Sequence, residues 1–348
     1  MLEVPQVLGQ ERVRRLLGLA LRHGRFPQAL LIAGPAGIGK RALGRQLAAA
    51  LLCSHPAEDG WGCGRCRSCR AVASGAHPDL HWLEADPNTK LTLEAVRPWH
   101  TQASGLTPAW GERVVGVVVP AEELTEAAQN SLLKVIEEPP PTVTWLLLTA
   151  NPAALLATIR SRCQLVQLDP VPARTIADWL VSAQQQEPSR AQEIARLAAG
   201  RPGVALEWVQ DSRAESLRQE VSQVLMQMGR GRAAELLEVA RAWSEAGDHL
   251  ARRLELLALG WRDLVVVQAW EQGAAQHGQD QGKNCQPPVP LYFPELRPAP
   301  QATTLVSAGR LLACASRALA LARQLSIWGS ARLQLEALLV EAETAWKG

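Results

Sequence analysis

Residues 34–40 have the types and spacing best suited to chemistry. Their sequence, GPAGIGK, matches the phosphate-binding loop, in which glycines let backbone N–H groups surround a phosphate and a lysine reaches the outer phosphates. The apolar run QALLIA precedes the loop and the helix-forming run RALGRQLAAALL follows it. Because this loop type lies between a strand and a helix, the context favours a phosphate site over a glycine-rich turn with a surface lysine. The site residues are Gly34, Gly37, Gly39 and Lys40.

The position after the loop lysine lacks the metal ligand that ATP hydrolysis requires. Active loops place a Ser or Thr hydroxyl there to bind Mg²⁺, whereas Arg41 is a cation without an acceptor atom. Hydrolysis also needs a carboxylate at the end of a neighbouring strand, but the run VVGVVV continues into Pro120, and Glu122 and Glu123 come later. We therefore expect no ATP hydrolysis, although the loop could still bind a nucleotide passively.

Four of the seven cysteines are closely spaced between residues 53 and 69. One nine-residue gap followed by two two-residue gaps lets four thiolates converge on one ion, which favours a structural Zn²⁺ site. An iron–sulfur cluster also accepts two-residue gaps, but the proline that commonly follows the ferredoxin run is replaced by Arg70. The predicted metal ligands are Cys53, Cys63, Cys66 and Cys69.

Composition and charge exclude several classes of protein. The chain has 36 Lys+Arg against 34 Asp+Glu, a net charge of +2, so no overall field would attract nucleic acid or anionic lipid. The N-terminal sequence contains no apolar signal core, and no apolar run approaches the ~20 residues that span a bilayer. Scattered cysteines outside the cluster do not suit a disulfide framework. We expect a cytoplasmic protein.

The elements needed to hold these residues follow an α/β pattern. Short apolar runs at 28–33, 114–119 and 143–148 alternate with helical segments, which predicts a parallel sheet of the P-loop type. A breaker cluster, Asp169-Pro170-Val171-Pro172, ends this pattern, and the rest of the chain has helical periodicity. We predict a nucleotide-binding-like core at 1–168, a small helical lid at 169–210 and an all-α domain at 211–348 with a flexible insertion at about 272–303.

Several motifs together resemble the bacterial clamp-loader family, which belongs to the AAA+ class. The box VLGQ at residues 7–10 and the cysteine module after the loop helix occupy the same places in that family. The stretch LTEAAQNSLLKVIEEPP at 124–140 matches the segment that follows the acidic strand of those subunits. The resemblance extends over nearly the whole chain and is most specific over residues 7–167.

The triplet Ser161-Arg162-Cys163 is the family motif most directly tied to catalysis. In clamp-loader subunits it projects an arginine toward the ATP held by the neighbouring subunit. The resemblance therefore implies that Arg162 is an arginine finger acting in trans, rather than a salt-bridged surface arginine. A guanidinium at a transferring phosphoryl group stabilises the developing charge.

Three departures separate this chain from ATP-hydrolysing members of the family. Those members have Ser or Thr at the position of Arg41, an Asp-Glu pair in place of Val119-Pro120, and a sensor arginine in place of Gly203. The resemblance thus implies the non-hydrolysing subunit of the DNA polymerase III clamp loader, without polymerase or ATPase activity of its own.

That resemblance also implies partners, namely the ATPase subunits gamma and tau, the delta subunit, the sliding clamp and primed DNA. The helical C-terminal domain would form a collar that holds the subunits together. Two alternatives remain open. One is an active gamma/tau-type ATPase that recruits Glu122 or Glu123 for Mg²⁺, and the other is a zinc-stabilised scaffold protein.

Overall fold

The structure is a computed structural model that describes residues 7–86, 89–97, 108–210, 213–228, 233–246, 249–276, 291–296, 307–324 and 331–345. The chain divides into two compact units, Met1–Leu206 and Glu207–Gly348. The first unit contains the sheet and both candidate sites, and the second is helical.

A five-stranded parallel sheet forms the centre of the first unit. Its order is β2-β3-β4-β1-β5, so β1 lies between two strands that come later in the chain. Every residue of β1, β3 and β4 is buried, as expected for parallel strands covered on both faces. The strands are β1 (Ala29–Ala33), β2 (Leu80–Glu84), β3 (Val114–Val119), β4 (Val143–Thr149) and β5 (Gln164–Gln167).

Helices cover both faces of the sheet because successive strand residues point in opposite directions. On one face Ile32 and Leu148 pack with residues of the first three helices, and on the other Leu31 and Leu147 pack with the fourth. The helices of this unit are α1 (Glu11–Arg22), α2 (Lys40–Leu51), α3 (Arg67–Ala73), α4 (Glu126–Glu137), α5 (Ala157–Arg162), α6 (Ala173–Gln184) and α7 (Pro188–Leu197), and α8 (Pro202–Gln210) crosses the division.

The second unit is helical wherever it is described, except for a short segment at 291–296. Asp263, fully buried on a long helix, accepts hydrogen bonds from the backbone N–H groups of Tyr292 and Phe293, the latter at 2.8 Å. Burial raises the pKa of Asp263 to about 6. The helices are α9 (Ala214–Gln227), α10 (Ala233–Ala246), α11 (Leu250–Gln276), α12 (Ala308–Gln324) and α13 (Ala331–Thr344).

The predicted parallel sheet is confirmed, with strand ends within one residue of the apolar runs. Strand β2 was not predicted, because its sequence LHWLE lacks a continuous apolar run. In the structure this strand is only half-buried. Within the predicted insertion at 272–303, the structure places 272–276 in α11 and buries Tyr292 and Phe293. Residues 277–290 and 297–303 of that segment lie outside the described residues.

Close packing at Gly116 in β3 gives a test of the core. A Cβ there would lie 2.1 Å from Cζ3 of Trp145, which is 2% exposed. We expect Gly116→Ala to lower the free energy of unfolding by about 1–3 kcal/mol, measured by chemical denaturation, because the ring must move within a packed core. Gly111→Ala is the control, since its Cβ would have no atom within 4 Å. Equal stability of the two variants would contradict the packing.

Candidate functional site

The loop predicted to bind phosphate follows β1 and leads into α2. Gly37 and Gly39 have φ values of 78° and 109°, a region that favours glycine, and α2 begins directly at Lys40. The N–H of Gly34 donates to the carbonyl oxygen of Thr149 on β4 at 3.2 Å. The loop thus lies at the carboxyl edge of the sheet, with its amides at a helix N-terminus, where anions bind.

The amine of Lys40 is folded onto the loop itself. Its Nζ donates to the carbonyl oxygens of Gly34 at 2.6 Å and Pro35 at 2.9 Å. Burial lowers its pKa to about 8, although the negative charge of Glu122 acts in the opposite direction. The side chain is therefore close to the loop but bonded to backbone acceptors.

The beginning of α8 packs directly against the loop. The N–H of Gly203 donates to the carbonyl oxygen of Gly37 at 2.7 Å. A Cβ on Gly203 would lie 2.9 Å from that oxygen, and a Cβ on Gly37 would lie 2.9 Å from Cγ2 of Val204. The two glycines permit this approach, so Gly203, predicted to replace a sensor arginine, contacts the phosphate loop and leaves no room for a side chain there.

Arg41 forms an ion pair with Glu84 at the end of β2. The guanidinium Nη2 lies 2.7 Å from Oε1 of Glu84, and the indole N–H of Trp82 donates to Oε2 at 2.8 Å. Sequence reasoning missed Glu84 because β2 was not recognised, and the mixed sequence LHWLE gives no clear strand signal. The carboxylate at this edge of the sheet is therefore paired with Arg41 rather than free for a metal ion.

The two acids after β3 are also bonded elsewhere. Oε1 of Glu122 accepts the N–H of Ala150 at 2.9 Å, and Glu123 forms an ion pair with Lys90 at 2.6 Å. Oε2 of Glu122 is buried and has no hydrogen-bond partner within the described ranges. Because each acid has another partner, Glu122 and Glu123 do not form the free pair of carboxylates that ATP hydrolysis requires.

Arg162 is the last residue of the short helix α5. Its Nη2 lies 2.8 Å from Oε1 of Glu137, its Nη1 donates to the carbonyl oxygen of Thr158 at 3.3 Å, and its side chain is 41% exposed. Ile159, which is fully buried, anchors the helix, and Oε1 of Gln129 accepts the N–H of Leu156 at 2.8 Å before its first turn. Packing therefore fixes the helix while its terminal guanidinium reaches solvent.

The four predicted metal ligands converge in space. The sulfur atoms of Cys53, Cys63, Cys66 and Cys69 all lie within 4.8 Å of one another, and those of Cys53 and Cys66 are 3.8 Å apart. Four sulfurs placed tetrahedrally at about 2.3 Å from zinc would be about 3.8 Å apart, so the cluster fits such an ion.

Backbone amides support negative charge at two of the four cysteines, Cys63 and Cys66, whereas burial raises the pKa of Cys53 and of Cys69. The N–H groups of Cys63, Cys66 and Cys69 each donate to a cluster sulfur at 3.4 Å. Burial would raise the pKa of Cys63, but hydrogen bonds from the backbone of Arg65 and Cys66 lower it to about 6. Such donors favour the thiolate, which is the form that binds metal. The cluster could hold a metal ion.

The parallel sheet, the phosphate loop at its edge and the four-cysteine module define a P-loop protein with an insertion that could hold a metal ion, which is the fold class predicted from the sequence. A sequence model described as "DNA polymerase III, delta subunit" matches residues 9–172. The chain is 31% identical to the DNA polymerase III subunit delta' of Yersinia pestis over 273 residues, 74% of this chain and 75% of that protein. The chain therefore belongs to the family of DNA polymerase III delta-prime subunits.

Two further comparisons define the extent of the similarity. The chain is 38% identical to the delta' subunit of Pseudomonas aeruginosa over 57% of its own length, and it spans only 59% of that relative. The crystal structure of a DNA polymerase III gamma subunit-related protein from Thermotoga maritima matches 94% of this chain and 99% of its own, at a TM-score of 0.40 and 14% identity. No helix among the described residues is both long and apolar enough to cross a membrane.

The buried amine of Lys40 gives a pH test of the loop geometry. We expect it to titrate near pH 8 in NMR of the folded chain, with Lys40→Arg used to assign the signal. The folded chain holds this proton less tightly than the unfolded chain, so the contribution of Lys40 to stability rises with pH from about 8 to the ordinary lysine value of 10.5. Lys40→Met should remove that slope. Titration in the ordinary lysine range would mean that the amine is solvated.

Proposed function

We propose that this chain is the non-hydrolysing subunit of a clamp loader and that Arg162 acts in trans on ATP held by a neighbouring subunit. The observation that carries the proposal is the placement of Arg162, whose guanidinium is 41% exposed at the end of a helix fixed by buried residues. Its only described acidic partner is the equally exposed Glu137. Membership of the delta-prime family supports the assignment.

An exposed arginine at a fixed helix end suits catalysis between subunits. Its planar, permanently charged guanidinium can donate two hydrogen bonds to the oxygens of a transferring phosphoryl group. A finger supplied in trans raises the rate of phosphoryl transfer by about 10³–10⁵-fold in systems where it has been measured. The chain would thus assist hydrolysis at another active site while holding no reacting ATP itself.

The geometry of the chain's own loop supports the absence of hydrolysis. Arg41 stands where a Mg²⁺-binding hydroxyl is needed, and its guanidinium is bonded to the carboxylate of Glu84. Gly203 contacts the loop without a side chain that could reach a phosphate. A nucleotide could be held by Gly34, Lys40 and the loop amides, whereas the nearby acids Glu84, Glu122 and Glu123 each bond to another group of the chain.

The proposed partners are the gamma and tau ATPase subunits, the delta subunit, the sliding clamp and primed DNA. The chain would act as a core at 1–168, a helical lid at 169–210 and a collar domain at 211–348 that assembles with other subunits. Exposed leucines on α10, α12 and α13 support such an assembly surface. They are Leu237, Leu312, Leu319 and Leu333.

The metal held by the four cysteines is proposed to be a structural Zn²⁺. Four thiolates close the coordination sphere and leave no position for a substrate, which suits a structural role. The sulfur of Cys69 also lies 3.8 Å from the carbonyl oxygen of Ala49 on α2. A bound ion would therefore hold the module against the helix that follows the phosphate loop.

Substitution of Arg162 tests the proposed function. We expect Arg162→Ala to lower the DNA-stimulated ATPase of the reconstituted clamp loader by at least about tenfold, because a charge at the transferring phosphate is lost. Arg162→Lys should not restore the rate, because lysine lacks the planar pair of donors. The measurement is steady-state phosphate release together with gel filtration of the complex.

Arg160→Ala is the matched control, because Arg160 is exposed on the same helix and the resemblance gives it no role. It should leave the rate unchanged. An unchanged rate with Arg162→Ala in a fully assembled complex would remove the finger assignment. Mg²⁺-dependent ATP hydrolysis by the isolated chain, lost with Lys40→Ala, would instead establish an active ATPase.

Elemental analysis tests the metal. We expect about one zinc per chain and its loss in Cys66→Ser, because three thiolates leave the coordination sphere open. Cys314→Ser, a change at a buried cysteine in α12, should keep the zinc. Iron with inorganic sulfide, or no metal in freshly purified protein, would contradict the assignment.

A further inference from the structure

Helix α1 carries an unusual number of unpaired arginines. Arg12, Arg15 and Arg22 are exposed on one face at helical spacing, and Arg14 lies beside them, half-buried. Within the ranges that the structure describes, none of these four guanidinium groups forms an ion pair with a carboxylate. Glu11 is the only acid on the helix. The surface is therefore strongly basic although the whole chain is close to neutral.

Two exposed leucines lie among these arginines. Leu19 is 46% exposed between Arg15 and Arg22, and Leu16 is 58% exposed one turn from Arg12. Solvated helix faces seldom present leucines at consecutive turns beside unpaired cations. A surface that combines both features is suited to a partner that brings apolar side chains as well as negative charge.

A groove beside α1 extends this face. It has a volume of about 340 Å³ and is lined by Arg14, Arg15, Gly18, Leu19, Arg22, Asp59 and Trp61. The guanidinium of Arg14 lies 5.6 Å from the ring centroid of Trp61, and its Nε is buried with no described hydrogen-bond partner. The groove thus combines the side chains of Leu19 and Trp61 with three arginines, one of which has an unused donor.

The wall of the groove is built by the segment between the first two cysteines of the cluster. A Cβ on Gly18 would lie 2.7 Å from the carbonyl oxygen of Asp59, and one on Gly60 would lie 2.5 Å from the carbonyl oxygen of Gly18. Helix and segment can approach this closely only because both positions are glycine. The groove is consequently a fixed feature of the folded unit, not a gap between mobile side chains.

We propose that this face of α1 and its groove bind an acidic peptide segment of another protein, with carboxylates on either side of a bulky apolar side chain. The apolar side chain would occupy the space between Leu19 and Trp61, and the carboxylates would pair with Arg15, Arg22 and Arg14. Charge complementarity selects this occupant, because three arginines face one aspartate across the groove. Nucleic acid fits less well, since phosphates offer nothing to the exposed leucines.

Fluorescence anisotropy with a defined peptide tests the proposal. The probe is a labelled synthetic peptide of about twelve residues in which Asp and Glu alternate with Leu and Phe, and the comparison peptide has Asn and Gln in place of the acids. The full-length chain should bind the acidic peptide saturably and in a salt-dependent manner. Arg15→Glu combined with Arg22→Glu should weaken binding by about tenfold or more, through loss of attraction and added repulsion.

The matched control is Arg190→Glu combined with Arg196→Glu. These arginines are exposed on α7, and Arg196, like Arg22, lies in the last turn of its helix. This variant should bind within about twofold of the unaltered chain, because general charge is changed equally and the groove is untouched. An equal loss in both variants would overturn the proposal, because only overall charge would then matter.

Two further measurements separate a peptide site from other surfaces. Leu19→Ser should weaken binding of the acidic peptide by about threefold or more, because apolar contact is lost. Val181→Ser, at a 39% exposed position of α6, should leave peptide binding unchanged. A labelled DNA duplex should bind more weakly than the acidic peptide. If the duplex binds more tightly than the acidic peptide, and if the double charge-reversal variant loses this duplex binding, the face is a nucleic-acid surface and the proposal is wrong. Absence of saturable peptide binding also overturns it.

Discussion

The positive charge of Arg41, directly after the loop lysine, is the constraint on which the properties of the phosphate loop depend. Arg41 lies in the first turn of α2, where a P-loop enzyme has a hydroxyl ligand for Mg²⁺, and it pairs with Glu84 at the carboxyl end of β2. A guanidinium brings a positive charge and no acceptor to that position, and it also engages a carboxylate at that edge of the sheet. Arg41 therefore opposes a metal ion by charge repulsion and by the absence of an acceptor atom.

The surroundings of the phosphate loop agree with this constraint. Lys40 bonds to loop carbonyls, Glu122 accepts a backbone N–H, and Gly203 packs its backbone against Gly37. Each of these groups would need to exchange a partner before it could serve a reacting nucleotide. The loop has the shape of a phosphate site because of its glycines and the adjoining helix, while Lys40, Oε1 of Glu122 and the backbone of Gly203 bond within the chain.

Sequence patterns predicted the features that are local or strongly periodic. The fully buried strands β1, β3 and β4 read as continuous apolar runs, and the cysteine spacing predicted a cluster whose sulfurs do converge. Features set by pairing between distant segments were missed. Glu84 could not be placed beside Arg41 without β2, an edge strand that is only half-buried and therefore has a mixed sequence.

The second unit also contains a contact between distant segments that the sequence did not predict. The buried Asp263 and its two backbone donors at Tyr292 and Phe293 are 29 and 30 residues apart in sequence. Periodicity within α11 does not indicate that a carboxylate on its buried side accepts hydrogen bonds from a distant segment. The composition of 272–303, rich in Gly, Gln and Pro, indicated an exposed insertion, because composition reports average polarity and not the burial of two particular aromatic residues.

The energetics of Arg162 explain how an arginine can be both paired and available. Its ion pair with Glu137 joins two side chains that are 41% and 43% exposed, and exposed pairs of this kind contribute only about 0.2–1 kcal/mol. Hydrogen bonds from a guanidinium to a phosphoryl group in a water-excluded site are considerably stronger. Exchange of Glu137 for a phosphate would therefore cost little and gain more, and α5 would not need to move, because Ile159 and the Gln129 hydrogen bond hold it. In the proposed function, the weak pair would leave the guanidinium at the surface until the phosphate of a neighbouring subunit's ATP replaces Glu137.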